Sequence, residues 1–233
     1  MVEITLPFTT PSTIIFSRWQ RGRHEINAGT DKGRYRTMLL AVILVGAYLI
    51  GSVNFSILLF SLSGRGDPRS RFSGNAGAIN VWRQAGLGWA ALILLLDVTR
   101  AVALAWAALY CLPKAQVSWI GLALVVGNRY PCYHRFRGGK GVATYLGFTI
   151  PISPLGAVVS ALVWTLFYRV THLPFVASFL MIAILAAGTI TALGFHPFST
   201  IGVVATSFFL YFNHRKNVMD FLAVRKNPSD ASN

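Results

Sequence analysis

Apolar residues recur in blocks along the whole chain. Short stretches rich in glycine, proline and basic residues separate them. A helix that crosses a bilayer needs about 20 apolar residues, with a range of about 17–25. The pattern predicts seven membrane segments: Met38–Leu62, Leu87–Leu112, Val117–Gly127, Val142–Ile150, Leu155–Tyr168, Phe175–Leu193 and Ile201–Phe212. Several are short or broken by Gly or Pro. Irregular backbone at membrane depth is tolerated only where protein or a water-filled cavity covers it, so the breaks point to a cavity. The expected fold class is an all-α integral membrane protein of about seven transmembrane helices. Residues 38–213 would form the membrane domain and residues 214–233 a cytoplasmic tail. Neither internal repeats nor low-complexity tracts interrupt this plan.

Composition agrees with the pattern. The 233 residues are 54% hydrophobic and 12% charged, against about 25% charged for a soluble domain. Charge adds a direction. There are 21 Lys+Arg against 7 Asp+Glu, a formal +14. With seven segments, the loops Ser63–Gln84, Asn128–Lys140 and Arg169–Leu173 fall on one face with the tail from Asn213. The opposite loops hold only Lys114. The positive-inside rule makes the basic face cytoplasmic in a multi-pass membrane protein. The first 37 residues depart from this rule. Arg18, Arg21, Arg23, Lys32, Arg34 and Arg36 precede the first span on the expected outer face. Either translation starts at Met38, or this basic arm lies on the membrane surface. Basic residues confined to short inter-span loops exclude nucleic acid as a partner, and membrane lipids are the expected surroundings. Cys111 and Cys132 fall on opposite faces, so a disulfide is not expected, and no Cys/His spacing suits a metal.

Three polar stretches carry candidate chemistry. The first, Gly64–Arg83, joins Asp67, Arg69 and Arg71 to Ser73, Gly74, Asn75, Ala76, Gly77, Ala78, Ile79 and Asn80. Glycines let backbone N–H groups approach an anion, Ser and Asn add hydrogen bonds, and Arg adds a bidentate fork. The second, Gly127–Gly147, places Gly138, Gly139, Lys140 and Gly141 before an apolar helix, with Thr144 one turn inside. A flexible loop, a lysine and a helix N-terminus together suit phosphate. The spacing is not that of a Walker A loop. The third follows the last span, where His214 and Asn217 lie three apart and share a face if the tail is helical. The plainer reading of each stretch is a solvated loop with topology charges. Asp97 and Arg100, also three apart, sit inside the second segment, as an ion pair or a functional pair. There is no Gly-x-Ser-x-Gly elbow, and His214 precedes Asp220 by six positions. A Ser or Cys nucleophile therefore has no support.

Taken together, Ala47 to Arg225 resembles the acyl-phosphate:glycerol-3-phosphate acyltransferases of bacteria, the PlsY family. Tyr48–Ser52 resembles the family's opening in its first helix. Asp67, Arg69 and Ser73–Asn80 resemble its first motif, with Ile79 in place of Thr. Asp97 and Arg100 resemble its Asp-x-x-Lys. Pro131, Phe136 and Gly138–Thr144 resemble the second motif, and His214, Asn217 and Val218 the start of the third. The chain departs from the family at Asn128 (for His), at His172–Phe175, at Asp220 (for a basic residue), and at Val224 and Lys226.

The resemblance implies acyl transfer from acyl phosphate to the sn-1 hydroxyl of glycerol 3-phosphate, giving lysophosphatidic acid for phospholipid synthesis. It needs no enzyme nucleophile or metal, because the donor is already activated, and it implies no cofactor and no required protein partner. Implied catalytic residues are Lys140, Ser73, Asn75 and His214. Implied substrate-binding residues are Arg69, Gly74, Gly77, Asn80, Gly138, Gly139, Gly141, Thr144 and Asn217. A general base is not evident: His214 and a substrate phosphate oxygen are both open. A weakly active or inactive paralogue binding lipid phosphates, or a small anion or lipid transporter, remain alternatives.

Overall fold

The computed structural model describes residues 33–226. The basic N-terminal arm lies almost wholly outside the described residues, as does the end of the tail. Two compact units are distinguished, Met1–Val42 and Ile43–Asn233. Every site residue belongs to the second. The described chain is helical: α1 Gly33–Ser52, α2 Phe55–Leu62, α3 Ala78–Ala85, α4 Leu87–Cys111, α5 Lys114–Arg129, α6 Val142–Thr149, α7 Pro154–Thr171, α8 Pro174–Ala192, α9 Pro197–Phe212 and α10 Arg215–Lys226. Among the described residues there is no strand. Three helices begin at proline, whose missing N–H is an orphan in the first turn anyway.

Four helices, α1, α4, α7 and α8, are long and apolar enough to cross a membrane. Helices α5 and α9 have 16 residues each and α6 has 8. The first expected segment is not one piece. Helix α1 stops at Ser52 and α2 restarts at Phe55, because the Asn54 side chain caps the new helix by accepting the Ile57 N–H at 3.2 Å. The first polar loop also holds more structure than its composition suggests: a 3-10 turn at Pro68–Ser70 and the helix α3.

Without a strong hydrophobic drive between helices in lipid, close packing depends on small residues. A Cβ on Gly51 would lie 2.2 Å from the Leu124 carbonyl oxygen, and one on Gly127 would lie 2.2 Å from that of Tyr48. These two glycines press α1 against α5. Gly147 does the same for α6 on α4, where a Cβ would meet the Val98 carbonyl oxygen at 2.6 Å. Helices α7 and α8 meet at Gly156 and Gly188. The outer side of α7 exposes Leu155, Val158, Leu162, Leu166 and Val170, an apolar stripe suited to lipid.

Candidate functional site

The first loop is folded largely by its own side chains. Buried Asn80 donates from Nδ2 to the carbonyls of Pro68 (2.8 Å) and Arg71 (3.3 Å), and its Oδ1 accepts the Ser73 N–H. Gln84 also donates to the Pro68 carbonyl. Asn80 therefore braces the loop. Its bracing leaves Ser73 and Gly74 exposed at the turn, with Asn75 and Gly77 half-buried behind them. Gly74 has φ +64°, a conformation that favours glycine.

Arg69 ties this loop to the second. Its guanidinium pairs with Asp67 (Nη2–Oδ2 2.6 Å) and donates through Nη1 to the carbonyls of His134 (2.9 Å) and Arg137 (2.6 Å). The Arg69 hydrogen bond in turn holds the Asp67 carboxyl below its usual range. As placed, Arg69 joins two loops, with most of its donors engaged.

The second loop is compressed where the glycines stand. The Gly138 and Gly139 amides donate to the carbonyls of Arg129 and Asn128, both at 3.0 Å. A Cβ on Gly138 would lie 2.0 Å from the Asn128 carbonyl oxygen, and one on Gly139 would lie 2.9 Å from that of Ala76. Both glycines thus serve close backbone approach, with Gly139 set against the first loop. Gly141, at φ +91°, turns the chain into α6, and no side chain caps that helix. The start of α6 keeps its orphan amides and positive dipole end beside Lys140. Thr144 is fully buried and points elsewhere, its Oγ1 lying 3.4 Å from Arg100 Nη2.

Lys140 is where the third stretch arrives. Its Nζ donates to Asn217 Oδ1 at 2.5 Å, and the Asn213 side chain donates to the Lys140 carbonyl. The tail is helical from Arg215, so Asn217 lies in its first turn while His214 stands just before it, with its carbonyl accepting the Val218 N–H at 3.2 Å. Burial, together with the positive charges of Arg129 and Arg83, lowers the Lys140 pKa to about 8, against a smaller opposing effect of Asp220. In the sequence Arg83 and Arg129 read only as topology charges. Their proximity to Lys140 depends on tertiary structure that no local pattern encodes.

His214 is 2% exposed and packs edge-on against Phe179. Its Nδ1 lies 2.8 Å from the Leu210 carbonyl, which can only accept, so Nδ1 carries the proton and Nε2 is the free acceptor. Burial and the nearby Lys140 charge lower its pKa to about 4, so the ring is neutral at physiological pH. Two more polar atoms at this centre, Asn128 Oδ1 and Asn213 Oδ1, are buried without a hydrogen-bond partner.

Next to Gly138 a cavity of about 820 Å³ is lined by Arg69, Arg129, Arg135 and Arg137 with Asp67, Ser70 and Gly74. The site thus combines an arginine-lined basin with a half-buried lysine, an uncapped helix start and a neutral histidine. Such a constellation suits phosphate-bearing ligands. Among the described residues no cluster of His, Cys, Asp or Glu could hold a metal ion.

Comparison with known proteins agrees with this chemistry. Residues 41–224 match a family model described as glycerol-3-phosphate acyltransferase. A protein of that name from Pseudomonas syringae pv. syringae is 38% identical over 182 residues, covering 77% of this chain and 93% of the relative. One from Methylobacillus flagellatus is 39% identical over 183 residues, covering 78% and 93%. Among solved structures, the glycerol 3-phosphate form of PlsY, an integral membrane glycerol 3-phosphate acyltransferase, aligns with a TM-score of 0.74 at 30% identity. That alignment covers 80% of this chain and 93% of PlsY. Its lysophosphatidic acid form aligns with a TM-score of 0.71 at 29% identity.

Proposed function

Because the chain belongs to the glycerol-3-phosphate acyltransferase family, we propose that it takes a fatty acyl group from acyl phosphate and transfers it to the sn-1 hydroxyl of glycerol 3-phosphate. The products are lysophosphatidic acid and inorganic phosphate. The reaction takes place on the cytoplasmic face of the bacterial inner membrane, where the basic loops gather.

The observation that carries this reading is the meeting of three separate stretches at Lys140. The α6 start and Lys140 take a phosphate group, with Arg83 and Arg129 adding positive charge. Ser73 and Asn75 reach the acyl phosphate from the exposed turn of the first loop. His214 and Asn217 orient glycerol 3-phosphate. The sn-1 oxygen attacks the acyl carbonyl carbon, the bond from that carbon to the phosphate oxygen breaks, and phosphate leaves with the bonding pair. The hydroxyl proton passes to a phosphate oxygen. A phosphate dianion, with a second pKa near 6, is the better base beside a histidine lowered to about 4. His214 Nε2 then serves as a hydrogen-bond acceptor that fixes the attacking hydroxyl. Catalysis arises from positioning and charge stabilisation, since acyl phosphate is already activated.

The donor assignment is tested by giving purified protein glycerol 3-phosphate with either acyl phosphate or an acyl thioester. Lysophosphatidic acid from acyl phosphate alone is expected. Equal or faster turnover of the thioester would overturn it.

A further inference from the structure

The buried pair Asp97–Arg100 lies on α4, away from Lys140, and takes no part in the chemistry described above. Its contacts are specific. Arg100 Nη1 donates to the carbonyls of Ile50 (3.2 Å), Gly51 (3.4 Å) and Val53. Nη2 donates to Asp97 Oδ1 at 2.8 Å and lies 3.4 Å from Thr144 Oγ1. The guanidinium also faces the Phe55 ring, 5.1 Å from its centroid. One side chain therefore touches both sides of the α1–α2 break, its own helix and the first turn of α6.

The break creates the need for this. At the end of α1 the regular helical pairing stops: the Ile50 carbonyl turns to the Val53 N–H at 3.3 Å, while those of Gly51 and Val53 have lost their partners one turn ahead. In an apolar layer no water is available to satisfy them. A planar fork with several donors can satisfy more than one carbonyl while remaining paired with a carboxylate, which a single ammonium group does less well. Asp97 keeps that charge compensated within the apolar layer.

The break in turn sets the loops. Asn54, the residue after Val53, donates from Nδ2 to the Ala76 carbonyl at 3.5 Å. That same carbonyl is the one Gly139 is pressed against. Contacts thus run from Arg100 through the break to Asn54, to the first loop and to the residue before Lys140. A second line runs from Arg100 through Thr144 to the helix whose start Lys140 precedes.

We propose that Arg100, held by Asp97, is a positioning residue for acyl transfer: it pins the α1–α2 break and the start of α6 in one arrangement, and so fixes the first loop against the second. It contacts no substrate. The kinetic part of this proposal rests on the acyltransferase reading, whereas the geometric part does not.

Both parts are tested with Arg100→Met and Arg100→Lys, turnover in the otherwise unsubstituted protein and distance in a Cys111→Ala, Ser70→Cys background. Spin labels on the thiol introduced by Ser70→Cys and on the native Cys132 then report the distance between the two loops. In Arg100→Met the distance distribution should broaden or shift. The kcat per folded molecule should fall at least tenfold, while the KM for glycerol 3-phosphate stays within about threefold, since Lys140, His214 and Asn217 are intact. Arg100→Lys should recover part of both. Adding Asp97→Asn to Arg100→Met removes the stranded carboxylate and should raise thermal stability without restoring the distance. An unchanged loop-to-loop distribution in Arg100→Met overturns the proposal. So does a loss confined to the folded fraction, with kcat per folded molecule unchanged. If the unsubstituted protein transfers no acyl group, the acyltransferase reading fails and the distance measurement still decides the clamp.

Discussion

Two parts of the molecule use glycine for close approach and to opposite ends. In the α7–α8 hairpin, Gly156 and Gly188 bring two apolar helices together, with the Ser153 side chain as the nearest polar neighbour of either. Neither glycine has a charged group among its nearest neighbours, and the outer face of α7 is an exposed apolar stripe. Around the second loop, Gly138 and Gly139 bring backbone against backbone carbonyls of α5 and the first loop. There the close approach buries polar atoms without partners, beside a lysine whose charge is disfavoured. The hairpin is packed for stability in lipid. The loop layer accepts buried polarity around the residues proposed to hold phosphate.

The largest expected contrast comes from one added methyl group. Gly138→Ala drives a Cβ into a backbone oxygen 2.0 Å away. The required shift is of the size that costs about 100-fold in turnover when it moves catalytic groups. Gly156→Ala meets no backbone oxygen among its nearest atoms, which are Ser153 Oγ at 2.7 Å, the Gly188 Cα at 3.4 Å and Ser153 Cβ at 3.5 Å. It should lower the melting temperature and leave kcat and KM within about twofold. Assays normalised to folded protein separate the two, and equal kinetic losses would erase the distinction between the regions.

Next in size is the polar partner of Lys140. Asn217→Ala should reduce kcat/KM for glycerol 3-phosphate by roughly 10–100-fold, the range expected from about 1.5–3 kcal/mol for a hydrogen bond to a charged group. The matching deletion in the hairpin, Ser178→Ala, removes the acceptor of the Trp164 indole. It should leave kcat/KM unchanged in the same assay.

The lowered pKa of Lys140 gives a smaller, pH-dependent effect. Phosphate binding requires the ammonium form, which is present below about 8 and lost as the pH rises through that value. For the free enzyme, kcat/KM for glycerol 3-phosphate should therefore decline above pH 8, and Gly156→Ala should keep the same inflection. A profile flat to pH 10 would place the Lys140 ammonium outside the binding step.

Smallest is Asp220, whose charge opposes the others around Lys140. It is exposed, so its influence is screened. Asp220→Asn should lower the KM for glycerol 3-phosphate by about twofold at low salt, with the difference vanishing near 0.5 M salt.

How far the sequence reveals this division depends on the range of each interaction. The apolar blocks predict the helices because lipid imposes length and hydropathy locally. His214 and Asn217 are legible as a pair because helical spacing is local as well, and Lys140 because the glycine-rich approach to a helix start is continuous in the chain. The break at Val53–Asn54 is hidden inside an apolar run, without proline. It follows from the cap made by Asn54 and from Arg100 reaching across from α4. Arg69 and Asn80 carry polar groups suited to ligands, yet the structure engages them within and between loops. Gly138 and Gly139 look like phosphate-binding amides in one dimension. In three dimensions their amides are engaged by Arg129 and Asn128, and the missing side chains are what matters. Thr144 faces the Arg100 clamp for the same reason: its direction is set by which helix packs beside α6.

Everything proposed for the site turns on Lys140 holding phosphate during acyl transfer. It is tested most directly by phosphate release from acyl phosphate in the presence of glycerol 3-phosphate, comparing Lys140→Ala with the unsubstituted protein, per folded molecule. Release coupled to lysophosphatidic acid should be abolished. Near-normal turnover in Lys140→Ala would contradict it.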